Sequence, residues 1–171
     1  MPARAPRAAS IAGPVGALEA RIDAPTGPAV AAAVVCHPHP LHGGTLHNKV
    51  AYTLAKAFTR LGAAAVRFNF RGVGASEGRH ADGAGELDDA LAVVEWTRRE
   101  WPGAPLYLGG FSFGADVALR AAVALGAETD RNPVGLVTVA LPVGRVPADF
   151  PAPRCPWLVI HGDRDEVVAL D

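Results

Sequence analysis

The stretch with the clearest chemical potential is Gly110–Gly114, which reads Gly-Phe-Ser-Phe-Gly and forms a Gly-x-Ser-x-Gly pattern. A short apolar run at 106–108 precedes it, and an alanine-rich segment with helical character follows directly. Glycines two positions before and after the serine let a strand and a helix pack closely around a strained turn that exposes the serine oxygen. We therefore predict that Ser112 is a nucleophile; the alternative is a glycine-rich turn with an idle serine.

A serine nucleophile also needs hydrogen-bond donors for the oxyanion that its attack creates. The backbone N–H of Phe113 lies at the predicted start of a helix, where the helix dipole favours negative charge. A second donor is expected from residues 37–44, which read His-Pro-His-Pro-Leu-His-Gly-Gly after the apolar run Val30–Cys36. Proline has no N–H, so the candidates are the amides of His39 and Leu41, with a slight preference for His39.

The four histidines between positions 37 and 47 also allow a metal site. The pair His37-x-His39 after a strand has a spacing found among metal ligands. However, no acidic residue lies close to these histidines in sequence, and the chain is too short for the barrel that usually carries such a pair. We predict no metal and no cofactor, with the histidines shaping a pocket wall, and keep a metal hydrolase as an alternative.

A carboxylate that orients a catalytic histidine is expected after a late strand, and the segment 160–168 offers two. It reads Ile-His-Gly-Asp-Arg-Asp-Glu-Val-Val. Asp163 stands where a tight turn favours aspartate, whereas Asp165 precedes an apolar pair that could anchor it.

Alternating strands and helices must bring these motifs together. Apolar runs predict strands at Gly16–Ile22, Val30–Cys36, Ala64–Phe70, Leu106–Leu108, Leu136–Leu141 and Trp157–Ile160, and helices at Asn48–Leu61, Glu86–Trp101 and Phe113–Leu125. On the second helix we expect Leu87, Leu91, Val94 and Trp101 to face the core. The pattern indicates an α/β fold with a mostly parallel sheet and helices on both faces, whose sites lie beyond the carboxyl ends of the strands.

Length and composition limit the protein class. The 171 residues fit a single domain, 1–171, and half of them are hydrophobic. The net charge is −1 and the arginines are scattered, which argues against nucleic-acid binding. Cys36 and Cys155 are interpreted as buried free thiols. With no signal peptide and no membrane-length apolar stretch, we expect a soluble cytoplasmic protein; its oligomeric state is open. Segment 142–156 contains five prolines and no amphipathic helix, so no lid is expected.

These segments together resemble the α/β-hydrolase superfamily, and most of all its small lidless bacterial serine hydrolases. The resemblance covers nearly the whole chain and rests on Cys36–Gly44, Asn69–Gly78 and the pattern around Ser112. It implies Ser112 as nucleophile and, through a His-Gly-x-x-Asp-x-Val pattern at His161–Val167, Asp165 as the acid. The implied activity is hydrolysis of small-molecule carboxylic esters through a Ser-His-Asp mechanism and an acyl-enzyme. The open, weakly aromatic site favours small acyl groups.

Three further positions match the family: Asn69, Arg71 and Glu86. We interpret them as structural residues of a buried turn and a helix start rather than as part of the chemistry.

The sequence departs from the family in one respect, because the family's catalytic histidine lies after one more strand. His161 stands beside the predicted acid and does not easily reach Ser112. We therefore expect a chain truncated before the last strand, with Trp157–Ile160 as an exposed hydrophobic edge and with little activity of its own. A non-catalytic, hydrolase-like binding domain is the alternative.

Overall fold

A computed structural model describes residues 5–128 and 130–163. The strands are β1 Arg7–Gly13, β2 Gly16–Asp23, β3 Ala31–Cys36, β4 Ala63–Phe68, β5 Leu106–Phe111, β6 Gly135–Val139 and β7 Trp157–Ile160, and the helices are α1 Lys49–Arg60, α2 Ala84–Glu100 and α3 Phe113–Gly126. Short 3₁₀ turns occur at Pro40–His42 and Val143–Arg145. All seven strands form one sheet in the order β1-β2-β4-β3-β5-β6-β7.

The sheet is mostly parallel, as the sequence predicts. The strands from β4 through β3, β5 and β6 to β7 all pair in parallel, whereas β2 pairs antiparallel with both β1 and β4. Since parallel strands end at the same edge, the loops after β3, β4, β5, β6 and β7 share one side of the molecule.

Helices cover both faces of the sheet, and β3 shows how the two cores are divided. Every residue of β3 is buried. Val35 belongs to the cluster that includes Leu54 of α1, whereas its neighbour Val34 belongs to the cluster with Val93 of α2 and Leu119 of α3. Successive side chains of a strand point to opposite faces, so α1 packs on one face and α2 with α3 on the other.

The N-terminal hairpin is the main element that the sequence analysis missed. β1 pairs along its whole length with β2, from Arg7 opposite Ile22 to Gly13 opposite Gly16. β1 is an edge strand whose side chains are largely exposed, and its many alanines give no apolar alternation to detect. The available signal was the turn sequence Gly-Pro-Val-Gly at 13–16, which joins the two strands.

The buried face of α2 also differs from the prediction. Val94 is fully buried, but Leu87, Leu91 and Trp101 are only partly buried against the core. The fully buried positions of this helix include the charged residues Glu86 and Asp89.

β7 lies at the edge of the sheet beside β6, and its four side chains are 38–57% exposed, as expected for this strand. Between β6 and β7, residues 140–156 contain only the 3₁₀ turn Val143–Arg145, so this segment forms no lid. In the described ranges 5–128 and 130–163, no helix has the length and apolarity needed to cross a membrane.

A buried ion pair ties the loop after β4 to α2. The Arg71 guanidinium donates to Asp89 through Nε at 3.0 Å and a terminal nitrogen at 2.7 Å, and the Arg71 amide donates to the same carboxylate at 2.9 Å. The Asp89 side chain is fully buried and that of Arg71 is 8% exposed. Hydrogen bonding to Asp89 raises the pKa of Arg71, so the guanidinium remains charged.

Replacing Asp89 by asparagine leaves the Arg71 charge buried without its counter-charge. We expect Asp89→Asn to lower the free energy of unfolding by about 3–5 kcal/mol in urea titrations. The control is Glu100→Gln, which breaks the exposed 3.4 Å pair with Arg7 and is expected to cost less than about 1 kcal/mol. Equal losses for the two variants would contradict the anchoring role of the buried pair.

Candidate active site

Ser112 stands at the junction of β5 and α3 in a strained backbone conformation, with φ 54° and ψ −122°. Positive φ is uncommon for a residue with a side chain and persists only where the surroundings enforce it. The Ser112 amide donates to the Val139 carbonyl of β6 at 2.9 Å, and its own carbonyl accepts from the Ala115 amide at 2.8 Å. The turn is thus held from both sides, and its side chain is half-buried at the carboxyl edge of the sheet.

The flanking glycines are required by close contacts between backbones. A Cβ atom on Gly110 would overlap the carbonyl of Gly114, and one on Gly114 would overlap the carbonyl oxygens of Cys36 and His37. The first turn of α3 therefore rests directly on the end of β3. This contact brings the loop after β3 next to Ser112.

Phe113, the first residue of α3, supplies both an amide and a buried ring. The first four N–H groups of a helix have no acceptor within the helix, so its amide is available beside Ser112. The ring is 2% exposed and packs against His39 at 4.8 Å and Phe70 at 5.8 Å between centroids. The Arg145 guanidinium lies 5.2 Å from the centroid of the same ring.

The loop after β3 carries the two candidate oxyanion donors in different environments. The Leu41 amide donates to Nδ1 of His39 at 3.2 Å, so this N–H already has an acceptor. To accept it, His39 must be neutral. Burial, followed by the nearby His42 and His80 side chains, lowers the pKa of His39 and keeps the ring in that form.

His37 has a structural role. It is fully buried, its Nε2 accepts the Phe70 amide at 3.1 Å, and its Nδ1 lies 2.6 Å from the Pro38 carbonyl. These contacts assign the proton to Nδ1 and occupy both ring nitrogens, so His37 is unsuited to bind a metal. Over the described part of the chain, no group of three or more His, Cys, Asp or Glu side chains is arranged to hold a metal ion.

The two candidate acids, Asp163 and Asp165, follow β7 in the sequence. Asp165 lies outside the described residues, and Asp163 is exposed in the turn after β7. β7 is parallel to β6, which is parallel to β5, so the segment after β7 leaves the sheet at the same edge as Ser112. The hydrogen bonds of the His37 and His39 rings go to backbone groups of Pro38, Leu41 and Phe70.

Comparisons with known proteins agree with this geometry. The sequence profile of the family described as serine aminopeptidase, S33, matches residues 30–149. The chain belongs to this family of α/β-hydrolases. A lidless α/β serine hydrolase from Xanthomonas campestris superimposes on this chain with a TM-score of 0.87 and 44% sequence identity. The match covers 99% of this chain and 76% of the Xanthomonas chain.

Two further relatives extend the comparison. An α/β serine hydrolase homologue from Coxiella burnetii has a TM-score of 0.88 at 43% identity, over 99% of this chain and 80% of that one. An uncharacterized protein of Rickettsia prowazekii is 36% identical in an alignment 167 positions long that covers 93% of this chain and 67% of that protein.

The side chains of Asn69 and Glu86 accept hydrogen bonds from backbone amides of neighbouring loops. Asn69 Oδ1 accepts the Leu46 amide at 2.8 Å. The Glu86 carboxylate accepts the amides of Ala81 and Gly83 at 2.9 and 2.8 Å, which lowers its pKa despite burial. Together with the Arg71–Asp89 pair, these contacts agree with the structural interpretation of the three positions.

The sequence analysis did not identify His80 and Arg145 as residues that pack beside the candidate site. His80 lies 5.0 Å from His39 between ring centroids, with its Nδ1 2.8 Å from Glu86 Oε1. Arg145 reaches Phe113 from the segment after β6. Neither residue stands in a local motif, so only the fold brings them next to His39 and Phe113. Of the two thiols, Cys36 is buried as expected, but Cys155 is only half-buried; both are free.

The glycine contacts give a stability prediction. We expect Gly114→Ala to lower the free energy of unfolding by at least about 2 kcal/mol, because the new methyl group meets rigid carbonyl oxygens of β3. Gly144→Ala is the matched control, since a Cβ at that position meets nothing within 4 Å. Urea titration of both variants measures the difference, and a tolerated Gly114→Ala would disprove the close packing.

Burial of His37 makes the stability of the fold depend on pH. Burial lowers the pKa of His37 from 6.5 to about 4 in the folded protein. The folded state thus favours the neutral ring, and the free energy of unfolding falls by about 3 kcal/mol as the pH drops from about 6.5 to about 4. NMR titration of the His37 ring together with urea unfolding at each pH checks this. A His37 resonance that titrates near pH 6.5 would contradict it.

Proposed function

We propose that this α/β-hydrolase cleaves carboxylic esters with small acyl groups through an acyl-enzyme on Ser112. The supporting observation is the strained Ser112 turn, held between β6 and α3 at the carboxyl edge of the sheet. In the first step the Ser112 oxygen adds to the ester carbonyl as its proton passes to a histidine base, and the alcohol leaves with that proton. Water then attacks the acyl-enzyme, and the acid and free Ser112 are formed.

The proposed oxyanion donors are the amides of Phe113 and His39. The position of Phe113 at the first turn of α3 supports the first choice. For the second, the Leu41 amide already donates to the His39 ring, which favours the His39 amide over that of Leu41. Removal of one such donor typically lowers the rate by a factor on the order of 10²–10³.

Asp165 is proposed as the carboxylate that orients the histidine base. Support comes from the parallel arrangement of β5, β6 and β7, which directs the segment after β7 to the edge that carries Ser112. The exposed turn position of Asp163 fits a structural role better. The mechanism also requires a histidine base, which is not among the groups proposed above.

An open site supports small acyl groups as substrates. Residues 140–156 cross the carboxyl edge with only one short 3₁₀ turn, so they offer little surface to enclose a long acyl chain. We also propose a cytoplasmic location, for which the two free cysteines are the support.

A fluorophosphonate probe tests the nucleophile. In a form of the protein that carries the histidine base, we expect the probe to label the wild type and the Ser10→Ala variant but not Ser112→Ala, because Ser10 lies on the exposed strand β1. Hydrolysis of p-nitrophenyl acetate by Ser112→Ala should fall by a factor on the order of 10⁶, and the wild type should prefer acetate to decanoate. Labelling that survives in Ser112→Ala would disprove the assignment, and a wild type that neither labels nor turns over would favour a non-catalytic binding domain.

A further inference from the structure

A cavity lies away from Ser112, on the face of the sheet that carries α1. Leu18, Ala20 and Ile22 of β2 point into the core with α2 and α3, so the residues between them point to the α1 side. This part of the face is polar and encloses a cavity of about 290 Å³, here called the β2–β4 cavity. Its lining residues are Pro6, Arg21, His47, Tyr52 and Arg67.

Arg67 forms the fixed wall of the β2–β4 cavity. Its side chain is 3% exposed, its Nε donates to Asp23 Oδ2 at 2.7 Å, and a terminal nitrogen donates to the Leu46 carbonyl. The other Asp23 oxygen lies 3.1 Å from Nζ of Lys56. A single buried carboxylate is therefore shared by two cations, which leaves positive charge in excess.

The remaining charges do not remove this excess. Arg21 lies 3.6 Å from Glu19, a long contact for an ion pair, while the other Glu19 oxygen accepts from Asn69 and from the Ala75 amide. The cluster thus holds three cations, Arg21, Lys56 and Arg67, against two carboxylates, Asp23 and Glu19. None of the five residues that line the cavity is acidic.

Tyr52 completes the polar lining. Its ring has Lys56 Nζ at 5.2 Å and the Arg67 guanidinium at 5.0 Å from its centroid, which helps to hold both cations in place. The lining side chains include two guanidinium groups, an imidazole and a phenol, all of which can donate hydrogen bonds. Such a set suits the several oxygens of a phosphoryl group better than the two oxygens of a carboxylate.

We propose that the β2–β4 cavity binds a small phosphate ester, with Arg21 and Arg67 contacting its phosphoryl oxygens. Its volume is at the lower limit of small-molecule sites, which leaves room for a compact organic group beside the phosphate. The site is independent of the ester hydrolysis proposed for Ser112.

Arg67 is poorly suited to mutation, because its buried contacts with Asp23 and Leu46 support the fold. Arg21→Gln removes a more exposed cation from the cavity, and Arg60→Gln is the charge-matched control. Arg60 is exposed at the other end of α1, about 12 Å along the helix axis from Tyr52. The probe is inorganic phosphate, titrated at constant ionic strength and followed by ¹H–¹⁵N NMR.

We expect saturable shifts centred on the amides of Arg21, His47 and Tyr52. Arg21→Gln should raise the Kd for phosphate at least tenfold and Arg60→Gln less than twofold, and succinate should bind at least fivefold more weakly than phosphate. Equal effects of the two substitutions, shifts centred elsewhere, or succinate binding as tight as phosphate would overturn the proposal. Co-sedimentation with phosphatidylglycerol vesicles without phosphate binding would overturn it in favour of a membrane-contacting surface.

Discussion

Direct backbone contact between the first turn of α3 and the end of β3 determines the position of Ser112. Gly114 lies against the carbonyl oxygens of Cys36 and His37, at a separation that excludes any side chain. Through this contact the Ser112 turn and the loop that bears His39 become a single rigid unit. The relative position of Ser112, the proposed nucleophile, and of the proposed oxyanion donors is therefore set by packing.

Buried polar groups then hold the surrounding loops against this unit. Asp89 fixes the start of the loop after β4, and Glu86 fixes its end through the amides of Ala81 and Gly83. Asn69 binds the Leu46 amide, so the loop after β3 is also attached to β4. The charged residues at this edge thus serve mainly to position the backbone.

The sequence was informative where structure depends on neighbours in the chain and less so where it depends on distant ones. The parallel strands and the turn at Ser112 could be predicted, because apolar runs and glycine spacing are local signals. The exposed edge strand β1 has no apolar run, and its only local signal is the turn sequence at 13–16. The burial of Glu86 and Asp89 could not be predicted from helical periodicity, since it depends on the loop that they hold. In the same way, only the folded chain shows that Arg145 packs on Phe113.

The polar face of β2 has a consequence for the fidelity of folding. Arg21 and Asp23 alternate with Ala20 and Ile22, so a slip of β2 by one residue would turn the charged side chains into the core and the apolar ones outward. In the native pairing the Asp23 carboxylate contacts Arg67 and Lys56. The same charges that shape the cavity therefore select one register for an antiparallel strand that no helix connection would otherwise align.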